Sequence, residues 1–286
     1  MEVRSFGSTG EKLSVVGFGG IVVTDVSAKD ASRFVSMAID RGINYFDVAP
    51  LYGNAQQMLG PALKPYRKNV FLSCKTQERS AKGAQKEFQD SLKKLKTDYF
   101  DLYQFHSMIT LDEVNTVMGP GGALEFFVKA REQGLVRYLG FTAHSEEAAI
   151  ALMKAYDFTS IMFSFNWALW FKNGYGPTVL DMAVKKGMGV LAIKALAKRG
   201  PEKDEVNKWV KCSYVPEDNF KEASLGLRFT LSLKGITTAL SSSHAELLWL
   251  ACDIADNFKP ITEEELLILK EKSKDVDTII NVLKEH

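Results

Sequence analysis

The amino-acid sequence predicts a (β/α)₈ TIM barrel with an N-terminal β-hairpin and extra C-terminal helices. Short apolar, β-rich segments alternate along its 286 residues with longer segments of helical periodicity, which is the pattern of βα units that build a parallel sheet. The chain contains eight such β segments, the number that closes a barrel. No low-complexity linker divides it, so we expect residues 1–286 to form a single domain. A doubly wound open sheet is the alternative, because periodicity does not distinguish it from a closed one.

The first predicted element is a β-hairpin that precedes the barrel. Two β-prone segments, 2–6 and 12–15, flank the turn Gly7-Ser8-Thr9-Gly10, whose glycines favour a tight reversal. The hairpin lies outside the eight-strand count. We expect it to close the floor of the barrel.

The barrel strands are predicted from eight short apolar segments. Each ends close to a Gly, Ser, Asp or Lys that favours a turn or a polar rim. The predicted strands are Leu13 to Phe18, Asn44 to Val48, Val70 to Cys74, Phe100 to Phe105, Tyr138 to Thr142, Ser160 to Phe163, Gly189 to Ile193 and Gly235 to Leu240.

Helices are predicted between and after these strands, where apolar residues recur at three and four positions. Glycines 42, 134 and 187 follow three of the helices, where a left-handed backbone suits a residue without Cβ. Thr262 and Glu265 form a predicted capping box for the last helix. The predicted helices are 27–41, 80–95, 122–133, 145–155, 176–186, 245–258 and 263–285.

Composition excludes several classes of function. The formal net charge is +1, from 36 basic and 35 acidic residues, so no long-range field favours nucleic acid. The three cysteines form no CxxC motif, and we expect neither a disulfide framework nor a metal site. No apolar segment approaches the ~20 residues of a membrane span, and residues 1–9 do not show the basic-then-apolar order of a secretory signal. We expect a cytoplasmic protein, as a monomer or small homo-oligomer, without a membrane partner.

Ionisable side chains stand at the ends of three successive predicted strands. Asp47, Lys75 and His106 end the second, third and fourth strands, and Tyr52 follows Asp47 in the loop. The active site of a (β/α)₈ barrel gathers where strands end, so we expect these four side chains to meet at one rim. Taken singly, each has a structural interpretation: a packed tyrosine, a capping aspartate, a solvated lysine or a core histidine. Their combination favours catalysis.

Three motifs carry a resemblance to the aldo-keto reductase family over essentially the whole chain. Residues 42–53 (GINYFDVAPLYG) resemble its aspartate and tyrosine motif, residues 71–75 (FLSCK) its lysine strand, and residues 92–106 (LKKLKTDYFDLYQFH) its histidine motif.

The resemblance implies an NAD(P)H-dependent oxidoreductase that reduces an aldehyde or ketone, its small-molecule partner, to an alcohol. Negative charge then grows on the carbonyl oxygen and must be met by a proton. By resemblance, Tyr52 is the general acid, His106 polarises the carbonyl, and Asp47 holds Lys75 charged beside Tyr52. Because a phenol ordinarily titrates near pH ~10, we expect Lys75 to make the phenolate accessible for the reverse reaction.

Cofactor contacts are implied at the ends of the later strands. Several positions depart from the family's pattern: Thr142 and His144 stand where Ser-Asn is usual, Met162 replaces a glutamine, Ile193 replaces an aromatic residue, and Leu247 occupies the place of an arginine that grips a 2′-phosphate. The implied contacts are Thr142, His144, Asn166, Ile193, Lys194, Leu196, Ser241, Ser242 and Ser243.

We expect NADP(H) rather than NAD(H) as the cofactor. The three serines precede a predicted helix, whose positive end and free N–H groups favour phosphate, and His244 and Lys194 offer substitutes for the absent arginine. Residues 198–204 mix both charges and predict a solvated loop long enough to form a lid over the pyrophosphate.

Two other functions stay open. The substituted nicotinamide contacts are compatible with a cofactor-sensing interaction protein on a reductase barrel, although the complete catalytic group argues against it. A Schiff-base lyase or aldolase is the other alternative, because Lys75 and Lys194 both stand at strand ends. The nearby carboxylate of Asp47 would keep Lys75 protonated and therefore a poor nucleophile.

Overall fold

The computed structural model describes residues 1–284, in which eight parallel strands close into a barrel. The barrel consists of β3 to β9 and β12 in chain order, with β12 hydrogen-bonded to β3. All eight predicted barrel strands are confirmed, and the open-sheet alternative is wrong. The strands are β1 Val3–Ser5, β2 Lys12–Ser14, β3 Val16–Gly19, β4 Tyr45–Asp47, β5 Phe71–Thr76, β6 Phe100–Met108, β7 Val136–Ala143, β8 Ser160–Ser164, β9 Gly189–Ile193, β10 Ala197–Arg199, β11 Val215–Pro216 and β12 Ile236–Leu240.

The predicted N-terminal hairpin is confirmed and closes the barrel floor. β1 and β2 pair antiparallel, with Val3 opposite Ser14. Phe6, at the start of the turn, is fully buried and packs its ring 5.2 Å from that of Phe71. A Cβ on Gly189 would lie 2.2 Å from the Phe6 ring, so β9 needs glycine where the Phe6 ring enters the barrel.

Helices surround the barrel and end as expected at the three glycines, which adopt φ values of +83°, +74° and +68° at positions 42, 134 and 187. Ser27, Ser80 and Ser145 cap their helices by accepting a backbone N–H. The helices are α1 Ala28–Asp40, α2 Ala55–Leu63, α3 Ala81–Leu95, α4 Leu111–Met118, α5 Ala123–Glu132, α6 Glu146–Ala155, α7 Trp167–Asn173, α8 Pro177–Lys185, α9 Phe220–Ser232, α10 Ala245–Asp256, α11 Glu263–Ser273 and α12 Ile280–Lys284.

The prediction of one continuous helix over 263–285 is wrong. The capping box of Thr262 and Glu265 is present, but α11 ends at Ser273 and α12 begins at Ile280. Side-chain and backbone donors take the carbonyls between them: Lys172 Nζ donates to Val276 O at 2.7 Å, and the Gly200 N–H donates to Asp277 O at 3.0 Å. These tertiary bonds compete with the helical ones. The predicted end at position 285 lies outside the described residues.

An unpredicted hairpin interrupts the connection between β9 and α9. β10 and β11 pair antiparallel, and residues 200–214 between them, here called the strap, run over the carboxyl end of the barrel. Lys211 Nζ in the strap donates to the carbonyls of Val22 and Thr24, both at 3.1 Å. The predicted solvated loop at 198–204 is therefore a strand end followed by the first part of the strap.

A buried ion network ties the hairpin to the barrel floor. The Asp101 carboxylate, whose side chain is 3% exposed, accepts from Arg67 Nη1 at 2.9 Å and from Arg137 Nη1 at 2.8 Å. It also accepts the Leu72 N–H at 2.9 Å. Arg137 extends the network by contacting Glu11 in the hairpin. The charge on Asp101 is thus fully paired, as a buried charge requires.

Across residues 1–284, the structure contains no helix that is both long and apolar enough to cross a bilayer.

Candidate active site

The site begins with strand alternation, which directs residues two apart to the same face of a strand. Asp47 ends β4 opposite Ser73 of β5, and Lys75, two residues further along β5, lies opposite Gln104 of β6. His106 follows Gln104 by two positions. The parallel register therefore places these side chains on the inner face of the barrel, each nearer to its carboxyl end than the one before.

An ion pair between Lys75 and Asp47 lies deepest. Lys75 is 0% exposed, and its Nζ contacts Asp47 Oδ2. Burial by itself favours the neutral amine, but the Asp47 carboxylate raises the pKa of Lys75 above its ordinary value. The other carboxylate oxygen of Asp47 accepts from Ser73 Oγ and, at 3.4 Å, from Gln104 Nε2. The pair is therefore charged and hydrogen-bonded on both sides.

Tyr52 lies above this pair, in the loop between β4 and α2. Its hydroxyl accepts from Lys75 Nζ at 3.5 Å, and its ring stands 5.8 Å from that of His106 in an edge-to-face arrangement. Burial raises the pKa of Tyr52, and this effect outweighs the lowering by Lys75. Tyr52 therefore holds its proton, and the expectation that Lys75 makes the phenolate accessible stays a prediction.

His106 is a neutral imidazole at the wall of the same cavity. Its Nδ1 is buried and has no hydrogen-bond partner in the described part of the chain. Burial lowers the pKa of His106 well below its usual range, and the nearby Lys75, His144 and Arg79 lower it further. With Nδ1 buried, Nε2 is the nitrogen able to meet a ligand.

A cavity of about 350 Å³ lies between these residues and the strap. Asp47, paired with Lys75, is the only carboxylate among the described residues that line it, whereas Lys194 and Lys211 add amino groups that make no ion pair in the described part of the chain. The cavity is therefore suited to an anionic ligand. It brings together all but two of the predicted site residues, namely Asp47, Tyr52, Lys75, His106, Thr142, His144, Ile193, Lys194, Ser241, Ser242 and Ser243.

Asn166 and Leu196 are the two predicted contacts that the structure places elsewhere. Asn166 is the N-cap of α7: its Oδ1 accepts the Ala168 N–H at 2.9 Å, and its Nδ2 donates to Ala197 O. This buried amide is fully engaged in holding the chain after β9. Leu196 is buried away from the cavity, with its carbonyl accepting the Glu217 N–H at 2.7 Å. The structure therefore does not bring these two residues to the cavity, and their cofactor contacts stay predictions.

The serine segment after β12 is engaged by its neighbours. Ser241 Oγ accepts the Gly19 N–H at 3.0 Å. Ser242 Oγ bonds the Tyr214 hydroxyl at 3.0 Å, and Ser243 Oγ bonds Cys212 Sγ at 2.8 Å. The strap therefore packs directly on the segment that precedes the N-terminus of α10.

The strap residues of the cavity, Lys211 to Tyr214, were missed because nothing in their local sequence marks a strap. The part of the site formed by β3 and the residue after it was easier to predict, because the glycines at 17, 19 and 20 indicate a close approach of the backbone there. A Cβ on Gly20, the residue after β3, would lie 2.8 Å from Asp47 O, so only glycine lets the chain after β3 pack this closely against Asp47.

Comparison with known proteins gives matches along most of the chain. The sequence matches the model of the Aldo/keto reductase family over residues 15–208. It is 26% identical to the L-galactose dehydrogenase of Arabidopsis thaliana, covering 99% of this chain and 96% of that protein. It is 29% identical to an uncharacterized oxidoreductase of Bacillus subtilis, covering 58% of this chain and 56% of that protein.

Solved structures share the architecture. An aldo-keto reductase from Bacillus halodurans in its holo form superimposes with a TM-score of 0.77 at 23% identity, covering 97% of this chain and 98% of that chain. At this identity the likeness shows the common fold.

Proposed function

Because the chain belongs to the aldo/keto reductase family, whose members are oxidoreductases that use nicotinamide cofactors, we propose that it reduces an aldehyde or ketone to an alcohol with NAD(P)H. The observation that carries the proposal is the convergence of Tyr52, His106 and the Lys75–Asp47 pair at one cavity. The substrate is a small carbonyl compound.

The residues act on the carbonyl oxygen. When bound, the nicotinamide supplies a hydride to the carbonyl carbon. His106 Nε2 donates a hydrogen bond that polarises the carbonyl, and Tyr52 transfers its proton to the oxygen as negative charge develops there. The Lys75 ammonium, 3.5 Å from the Tyr52 hydroxyl, stabilises the phenolate that this transfer leaves. Asp47 keeps Lys75 protonated and in place.

The side of the cavity that is formed by the last barrel strands is suited to an anionic dinucleotide. Lys194 follows the seventh barrel strand and Ser241 to Ser243 follow the eighth, which is where (β/α)₈ barrels commonly bind phosphate. The N-terminus of α10 adds free N–H groups and a positive end. NAD-specific Rossmann folds use a carboxylate for the ribose 2′-hydroxyl. Since no carboxylate other than Asp47 is present in the described wall, we infer a preference for NADP(H).

The test is a fluorescence titration of NADPH against NADH, followed by cofactor oxidation with a panel of aldehydes and ketones. We expect NADPH to bind at least about tenfold more tightly, because one charge-assisted hydrogen bond contributes ~1.5–3 kcal/mol. Equal affinities would contradict the cofactor preference alone. Tight binding without oxidation by any carbonyl, especially with a co-purifying protein, would instead support the cofactor-sensing alternative.

One observation favours the Schiff-base alternative. Lys194 has a backbone φ of +61°, lines the cavity, and makes no ion pair in the described part of the chain. Burial lowers its pKa to about 7, so a large share of the amine is neutral and nucleophilic near neutral pH.

The variant Lys194→Met separates the two functions. Under the reductase proposal we expect the Kd of NADPH to rise about tenfold, the value of one charge-assisted contact, with carbonyl reduction retained at saturating cofactor. Lys198→Met is the matched control, because Lys198 pairs with Glu222 outside the cavity. Borohydride trapping of substrate on Lys194, with turnover in the absence of nicotinamide, would establish the lyase instead.

A further inference from the structure

Arg79 holds the peptide that follows His106. It lies in the loop between β5 and α3, with its side chain 19% exposed. Its Nη2 donates to His106 O at 2.8 Å and to Ser107 O at 3.4 Å. The same guanidinium binds Glu113 Oε1, from Nη2 at 2.8 Å and from Nε at 3.2 Å. A single side chain thus joins the end of β6 to the start of α4.

The backbone at this point needs support. Ser107 has φ +54°, a left-handed conformation that costs about 1–3 kcal/mol for a residue other than glycine. The Ser107 N–H donates to Thr142 Oγ1 at 2.7 Å. Arg79 and Thr142 therefore hold the turn from both sides, directly after the imidazole proposed to meet the substrate.

The arrangement leaves one donor unsatisfied. Arg79 Nη1 is buried and has no hydrogen-bond partner in the described residues. A buried donor without a partner costs about 1–3 kcal/mol, and more when it is charged. A shorter or neutral side chain would avoid this cost. The benefit of the guanidinium therefore lies in the hydrogen bonds that Nε and Nη2 make.

We propose that Arg79 is a positioning residue for carbonyl reduction, which fixes the peptide after His106 and thereby the direction of its imidazole towards the substrate oxygen. This inference rests on the function proposed above. Misplacing a catalytic group by about 1 Å lowers rates up to ~10²-fold, so the bond at 2.8 Å matters to the reaction although Arg79 does not line the cavity.

Arg79 also contributes to the charge around His106. The other groups facing the imidazole are Lys75 and Asp47 from the neighbouring strands, Tyr52 above it, and His144 after β7, whereas Glu113 of α4 faces Arg79. Burial, Lys75, His144 and Arg79 all lower the pKa of His106. Removing the guanidinium therefore raises that pKa.

The experiment compares Arg79→Met and Arg79→Lys with the wild type. We expect kcat to fall about 10–100-fold in Arg79→Met, with the Kd of NADPH unchanged. NMR titration of the four histidines, assigned with a His106 variant, should show a raised His106 pKa in Arg79→Met. Arg79→Lys should keep the wild-type His106 pKa and recover only part of kcat, because an ammonium lacks the fork that reaches both carbonyl and carboxylate.

The chain offers a matched control in Arg228. Arg228 binds Glu265, the capping-box glutamate of α11, as Arg79 binds the capping-box glutamate of α4. It also donates to the carbonyls of Lys259 and Pro260, far from the cavity. Arg228→Met should leave kcat and the His106 pKa unchanged.

The positioning role would be overturned, with the reductase proposal intact, by an Arg79→Met protein as active as wild type or by an equal loss of kcat in Arg228→Met. An unchanged His106 pKa in Arg79→Met would also count against it. Absence of carbonyl reduction in the wild type would instead reject the proposed function, and the histidine titration, which needs neither cofactor nor substrate, keeps the two failures apart.

Discussion

Replacing Tyr52 by phenylalanine is expected to lower kcat by about 10²–10⁴, the usual contribution of a positioned proton donor. Phenylalanine keeps the ring that packs 5.8 Å from His106 and removes only the hydroxyl beside Lys75. The oxygen of the substrate then gains negative charge with no proton to receive. Since the hydroxyl contributes to the reaction rather than to the cavity wall, the Kd of NADPH should stay at its wild-type value.

The measurement is the steady-state oxidation of NADPH with the best carbonyl of the panel, together with the fluorescence titration. Tyr138→Phe is the control, because Tyr138 stands at the barrel floor, where its hydroxyl reaches Glu11 at 3.4 Å. A Tyr52→Phe enzyme that keeps kcat within about tenfold of the wild type would show that the proton comes from another group.

Replacing Asp101 by alanine is expected to lower the free energy of unfolding by about 3–5 kcal/mol, the range found when one partner of a buried ion pair is removed. The change leaves Arg67 and Arg137 without their shared carboxylate and the Leu72 N–H without its acceptor. Arg137 then keeps Glu11 in the hairpin as its only ion-pair partner among the described residues.

Urea unfolding followed by tryptophan fluorescence measures this loss. Asp253→Ala is the matched control: Asp253 pairs with Arg41 at 2.8 Å, but its side chain is 56% exposed, so its removal should cost less than about 1 kcal/mol. Equal destabilisation by the two variants would mean that the network on Asp101 contributes no more than a surface ion pair.

The barrel was predictable because its strands and helices are specified locally. Each strand is a short apolar segment, and each of several helices starts at a Ser cap or ends before a glycine. The break after Ser273 was not predictable, since donors from Lys172 and Gly200, far away in sequence, take the carbonyls there. Helical periodicity carries no information on such competition.

The base of the candidate site was predictable for a different reason. Asp47, Lys75 and His106 end successive strands, and parallel register brings strand ends to the same rim. Asn166 also follows a strand, but its side chain caps α7. This orientation depends on where the next helix begins. Position along the chain locates a residue at the rim without deciding whether it faces the cavity.

The strap lay beyond prediction because its contacts are formed by the whole barrel. Lys211 binds carbonyls after β3, and Cys212 binds Ser243 after β12, so its partners come from both ends of the sequence. The residues around position 211 therefore show no local pattern that would predict these contacts.

The buried Phe6 ring has a consequence for the order in which ligands would bind under the proposed function. Because this ring closes the floor of the barrel, the cofactor and the substrate of the proposed reaction would both enter from the opposite end. The molecule that binds deeper in the cavity would then have to bind first and leave last, since the second molecule blocks its exit.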